Sequence, residues 1–192
     1  MRKSIYLFLL LASTLFLPSC SYNSLVSYDE AAKKAWADVE AAYQRRNDLI
    51  GNLVETVKGE AKFEKETLTA VVEARAKATS IQLKADDITP ENMAKFQEAQ
   101  SQLSGALSRL LAVAEAYPNL KATEAFQSLM NELERTENRI NIARRDYNEA
   151  VQVYNTKVRS FPSNITAGLF KFKQREPFKA DPGSEKAPKV QF

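Results

Sequence analysis

The chain has 192 residues, 44% hydrophobic and 27% charged, enough for one domain with a sizeable core. It contains no histidine and a single cysteine, Cys20, which excludes His-based general-base catalysis, Ser-His-Asp or Cys-His nucleophiles, and His-ligated metals, including bundle di-metal sites built on Glu-x-x-His pairs. The formal net charge is +3, and setting aside Arg2 and Lys3 leaves 25 basic against 24 acidic residues, so net charge implies neither a strong nucleic-acid nor a strong anionic-lipid partner; no cofactor is expected.

Arg2 and Lys3 precede an apolar run from Ile5 to about Leu17. That run is shorter than the roughly 20 residues a membrane-spanning helix needs and fits a signal-peptide core. Leu17-Pro18-Ser19-Cys20 then resembles the lipobox of bacterial lipoproteins, with Pro18 departing from the usual small residue. The resemblance implies a signal peptide over 1–19, cleavage before Cys20 and acylation of that residue. Several acyl chains, at about 0.8 kcal/mol per buried methylene, hold a protein durably on a membrane. The alternatives are an ordinary secretory signal with a leftover thiol, or an uncleaved anchor. Ser21 fits sorting to the outer membrane, on its periplasmic side or surface, where a cell has two membranes; the inner or plasma membrane is the other placement. Residues 20–28 follow as anchor and short linker.

From 29 to 160 the chain reads as helix in four segments, an all-α, elongated antiparallel bundle. Trp36, Val39, Tyr43, Arg46, Ile50, Leu53 and Val57 step by three and four, and past Gly59 the pattern resumes one position out of phase through Ala61, Glu64, Leu68, Val71 and Arg75. A straight helix over all of it would be roughly 80 Å long, more than the later helices can cover. Glycine weakens a helix, so a kink or turn is expected near Gly51, with Asp48 or Asn52 capping the new start. The segments are then 29–49 and 52–84; a continuous kinked helix paired in a dimer is the alternative. Thr89-Pro90 opens a third segment over 90–117, which Pro118-Asn119 stops. The fourth, 124–159, repeats Phe126, Leu133, Ile140, Tyr147 and Tyr154 at seven, with Thr123 as N-cap and Pro162 beyond its end. The short connection makes the third and fourth segments antiparallel neighbours.

Arg46, Glu64 and Arg75 fall on the apolar seam, and buried charges require partners, so a buried polar network with Glu134 and Glu137 is expected. A charged ligand pocket is the alternative. The Tyr-Asn pairs at 147–148 and 154–155 suggest cross-helix hydrogen bonds. Residues 161–180 read as an extended basic and aromatic tail packed on the bundle. There Phe170, Phe172 and Phe178 would cap the open end, or Lys171, Lys173 and Arg175 would touch headgroups or a partner. Residues 181–192 have linker composition, which predicts disorder. Asn164-Ile165-Thr166 matches a glycosylation sequon, a three-residue pattern of little weight here.

Four blocks, "RRNDLI", "EAYPNLK", "ENRINIARRDYN" and "FPSN", stand in order along the chain. In combination, and over Tyr22 to about Phe178, the sequence resembles the LemA family, with Gly51 where proline is common. The resemblance implies a bacterial envelope protein with an antiparallel helical bundle and no established catalytic activity. The expected function is therefore a non-enzymatic, lipid-anchored module binding other envelope proteins, or a second copy of itself. The alternative is an envelope enzyme acting on cell-wall polymer through paired carboxylates, which would need a cleft between them.

Overall fold

A computed structural model describes residues 2–60 and 63–179, with side chains described from Ser21 onward. The described residues form six helices and no strand: α1 (Arg2–Lys58), α2 (Lys65–Ser80), α3 (Pro90–Ala114), α4 (Pro118–Lys121), α5 (Glu124–Arg159) and α6 (Ser163–Leu169). The all-α bundle is the expected class. The side chains of the leader, the Cys20 thiol and the C-terminal stretch 181–192 lie outside the described residues.

The division near Gly51 is not found. The first helix runs unbroken for 57 residues, about 85 Å, and includes the segment read as a linker. The chain reverses at Gly59-Glu60 instead, where Gly59 N–H donates to the Thr56 carbonyl and Glu60 N–H to that of Val57. Gly51 serves another purpose. A Cβ there would lie 2.9 Å from Nη2 of Arg75 on α2, and Arg75 Nε donates to the Asn47 carbonyl one turn earlier at 2.8 Å. The missing side chain lets a guanidinium lie on the helix backbone. In an Arg75→Ala background, Gly51→Ala should raise stability by up to about 1 kcal/mol through helix propensity. With Arg75 present the gain should shrink, because the new methyl displaces the guanidinium; urea midpoints of the four proteins check this.

The second segment is also shorter than expected. It ends at Ser80, and residues 81–89 cross the bundle irregularly, tied down where Trp36 Nε1 donates to the Leu83 carbonyl at 2.7 Å. Both later helices start as read: Thr89 accepts from Asn92 N–H with Pro90 in the first turn, and Thr123 accepts from Phe126 N–H. α5 packs chiefly on α1, and α3 chiefly on α2. α3 and α5 are therefore not the close pair that their short connection suggested; they face each other across a cleft floored by α1.

The core has three parts. One, around Leu53, Leu103, Leu110 and Leu133, fills the end where α1, α2, α3 and the first turns of α5 meet. The central part gathers Trp36, Phe96, Tyr147 and Phe178. The third, with Leu25, Tyr154, Val158 and Ala167, seats α6 against α1 and α5. The tail is extended only from about 172, since 163–169 is helical. It does not cap an end either: Phe178 is buried mid-bundle, stacked on Trp36 with ring centroids 5.7 Å apart, while Phe170 is exposed.

Candidate functional site

The cleft between α3 and α5 encloses about 440 Å³, with Ile50, Leu107, Leu111, Met130 and Leu133 as its apolar lining and Arg46 at one end. Arg46 is 4% exposed because it occupies a seam position of α1. Its Nη1 donates to Ser104 Oγ and to Glu137 Oε2, both at 3.3 Å, its Nη2 donates to Gln100 Oε1, and the guanidinium lies over the Tyr43 ring. Among the residues singled out from sequence, the structure brings Arg46 and Glu137 together. Glu134 lies exposed on the cleft's lip, and Arg75 joins Asn47 and Gly51 instead. Glu64 is not on the seam: exposed at the start of α2, it accepts from Thr67 Oγ1 at 3.2 Å. The helical phase that placed it there ends with α1 at Lys58. Gln100 and Ser104 were missed, although a glutamine among the apolar seam residues Phe96, Leu103 and Leu107 was a readable signal.

Chemically, the cleft offers one guanidinium already engaged and two carboxylates three residues apart on the same helix. Glu134 and Glu137 flank one side of the cleft, whereas acid–base hydrolysis of a glycosidic bond needs carboxyl groups on opposite sides of it. No group of His, Cys, Asp or Glu suited to a metal occurs among the described residues.

The tail is held by a second polar system. Asn155 Nδ2 donates to the Arg175 carbonyl at 2.8 Å and Asn155 Oδ1 accepts from Arg175 N–H at 2.9 Å. Asn148 repeats this with Phe178, at 3.1 and 2.8 Å, and Tyr147 OH donates to the Glu176 carbonyl at 3.0 Å. Seven helical residues rise about 10.5 Å, and three residues of extended chain span about 10 Å. The Tyr-Asn repeat at seven thus matches every third residue of the tail, and each amide pairs with it as a neighbouring strand would. These bonds clamp the tail instead of crossing between helices, whereas the Tyr154 hydroxyl does bond across, to Asp29 on α1.

Arg175 is likewise not a surface contact. Its side chain is 10% exposed; Nε and Nη2 reach Asp29 Oδ1 at 2.9 Å, Nη2 reaches Asp86 at 3.2 Å, and Nη1 donates to the Ala85 carbonyl. Burial works against its charge, but the bonds to Asp29 and Asp86 outweigh that and raise its pKa further. Arg175 in turn, with Lys33, holds Asp86 below the ordinary carboxylate range. Lys171 and Lys173 are exposed.

The sequence model of the LemA family matches residues 35–192. The chain belongs to the LemA family. Curated relatives include magnetosome protein MamQ 2 of Paramagnetospirillum magneticum, 27% identical over 185 residues, covering 85% of this chain and 66% of that protein. Protein LemA of Metamycoplasma hominis is 27% identical over 145 residues, covering 76% and 63%. The chain thus spans just under two thirds of the length of these relatives. No helix among the described residues is long and apolar enough to cross a membrane.

In this LemA-family bundle the two tyrosines beside the clamp titrate late. Burial raises Tyr147 to about 12, and burial with the nearby Asp29 carboxylate raises Tyr154 to about 12. Both folded values lie above the unfolded value of about 10, so the unfolded state loses these protons first as pH rises. Their contribution is fully present below pH 10 and declines as pH climbs toward 12. Urea midpoints measured across that window should fall, and Tyr147→Phe with Tyr154→Phe should flatten the fall.

Proposed function

We propose that this chain is a non-enzymatic protein of the bacterial cell envelope, anchored by lipid on Cys20, which works by holding partner proteins. The observation that carries this reading is how its buried cations are used. Arg46 and Arg175 are tied to side chains and carbonyls of the fold itself. What remains open to another molecule is an apolar cleft with an acidic lip at Glu134 and Glu137. Such a surface fits a helix with an apolar face and a basic flank, the groove mode of recognition. LemA-family membership supports the envelope placement, and the lipobox-like ending at Cys20 supports the anchor.

Two measurements in intact cells test it. Cys20→Ser should abolish incorporation of labelled palmitate, and undiminished label would remove the lipid anchor from the reading. A photocrosslinker placed at Leu107 or Met130 should give one discrete protein adduct that the same probe at exposed Ile142 does not. Identical patterns from all three positions would remove the cleft from it.

A further inference from the structure

Four of the large exposed apolar side chains fall within ten residues at one end of the bundle: Phe161 (80% exposed), Ile165 (64%), Leu169 (74%) and Phe170 (53%). Ile165 and Leu169, four apart, form a stripe on the face of α6 opposite Ser163, Thr166 and Ala167, which are buried against the bundle, and Phe161 and Phe170 flank that face at the two ends of the helix. The apolar side therefore points away from the core, the reverse of what folding alone would select. This end is also where α1 departs toward residue 20. Tyr22 lies against Phe170, ring centroids 4.7 Å apart, and against Phe172 at 5.8 Å, while Leu25 packs on α6.

Apart from Asp29, which is paired with Arg175 and Lys33, the charge at this end is basic. Neither 20–28 nor 150–175 contains a single Asp or Glu, and the second carries Lys157, Arg159, Lys171 and Lys173 besides the buried Arg175. Lys171 adopts φ 60°, a conformation that glycine takes without strain, so the chain turns sharply after Phe170. A lysine stands at that bend directly beside the apolar stripe.

We propose that the α6 stripe and its basic rim form a membrane-docking face that rests in the headgroup boundary of an anionic bilayer and sets the bundle's orientation on it. An amphipathic surface with aromatic and aliphatic groups on one side and lysines around it binds at that depth, and basic residues near anionic headgroups add attraction. A protein partner is less favoured because Tyr22, two positions beyond Cys20, is in ring contact with the same patch, so whatever holds residue 20 at a membrane brings the stripe to its surface. The inference rests on the envelope reading above.

The test uses the full chain reconstituted in vesicles of phosphatidylethanolamine and phosphatidylglycerol with acyl chains brominated near the headgroup. Trp36, the sole tryptophan, is buried at 1% exposure and gives a constant background. Ile165→Trp adds a reporter on the stripe, and Ile142→Trp adds one at another exposed site about 25 Å farther along α5 from its end at Arg159. The added emission from Ile165→Trp should shift to the blue and be quenched several-fold more than that from Ile142→Trp. Adding Lys171→Glu and Lys173→Glu should reduce the quenching, as should vesicles of phosphatidylcholine alone. Equal quenching at both positions in protein that floats with the vesicles overturns the docking face while leaving the anchor intact. A blue shift that follows the protein-to-lipid ratio assigns the stripe to a second copy and overturns it too. Failure to float removes the envelope reading, and the docking face falls with it.

Discussion

Arg175→Ala is expected to lower the stability of the protein by about 3–5 kcal/mol, the range for a buried pair that loses one member. The size follows from what is left behind. Asp29 is 15% exposed and keeps Lys33 at 3.2 Å and the Tyr154 hydroxyl but loses its guanidinium, and the Ala85 carbonyl loses its donor. The Arg175 guanidinium also lies over the Tyr154 ring, 5.8 Å from its centroid. Three chain segments meet at this side chain: α1 at Asp29, the 81–89 crossing and the tail. Arg175→Lys retains the charge but not the planar fork, so it should fall between wild type and alanine. Urea unfolding monitored by circular dichroism checks the order. A loss under about 1 kcal/mol for alanine, the value of an exposed pair, would mean that Arg175 is solvated and the tail is held by Asn148 and Asn155 alone.

The parts of this fold that could be read in advance are those where two independent local signals agree. α5 runs over the residues expected because a seven-residue seam, a threonine cap and a following proline all mark the same helix. Gly51 shows the opposite case. Glycine near a slip in periodicity was a sound reason to expect a break, but there were two glycines. The one inside the helix is explained only by Arg75, 24 positions later and brought to it by the turn at Gly59. α6 has seven residues, too few for a period to show, and its buried face is small and polar rather than apolar. The Tyr-Asn repeat was visible in its spacing but not in its purpose, since its partner is backbone, which carries no residue-type signal. Arg175 was misplaced for a related reason: a basic residue in an alternating tail looks exposed until Asp29 and Asp86, far away in sequence, are placed around it.

Arg46→Ala is the second large effect, expected at about 3 kcal/mol, the low end for a broken buried pair. It is low because the orphaned Glu137 side chain is 51% exposed and can recover water, unlike Asp29 in the first case. The remaining cost comes from Gln100, 5% exposed, which loses the donor to its Oε1, and from the contact over Tyr43. An unsatisfied buried amide alone costs about 1–3 kcal/mol. The neighbour is the control. Arg45 pairs with Glu132 at 3.2 Å, but the two side chains are 55% and 38% exposed, so Arg45→Ala should cost under about 1 kcal/mol. Both changes remove one positive charge from the same turn of α1, so a net-charge effect would move them equally. Melting temperatures of the two variants separate the possibilities. A clear gap places Arg46 among the groups that fix how α1, α3 and α5 sit around the cleft. Equal, small losses would mean that the guanidinium is held there at the fold's expense, as a group that binds a ligand is. The double change Arg46→Met with Gln100→Leu distinguishes these further. It replaces the polar set by apolar groups of similar length, so a structural Arg46 predicts recovery of most of the lost stability, and a photocrosslinker at Leu107 should still capture its partner.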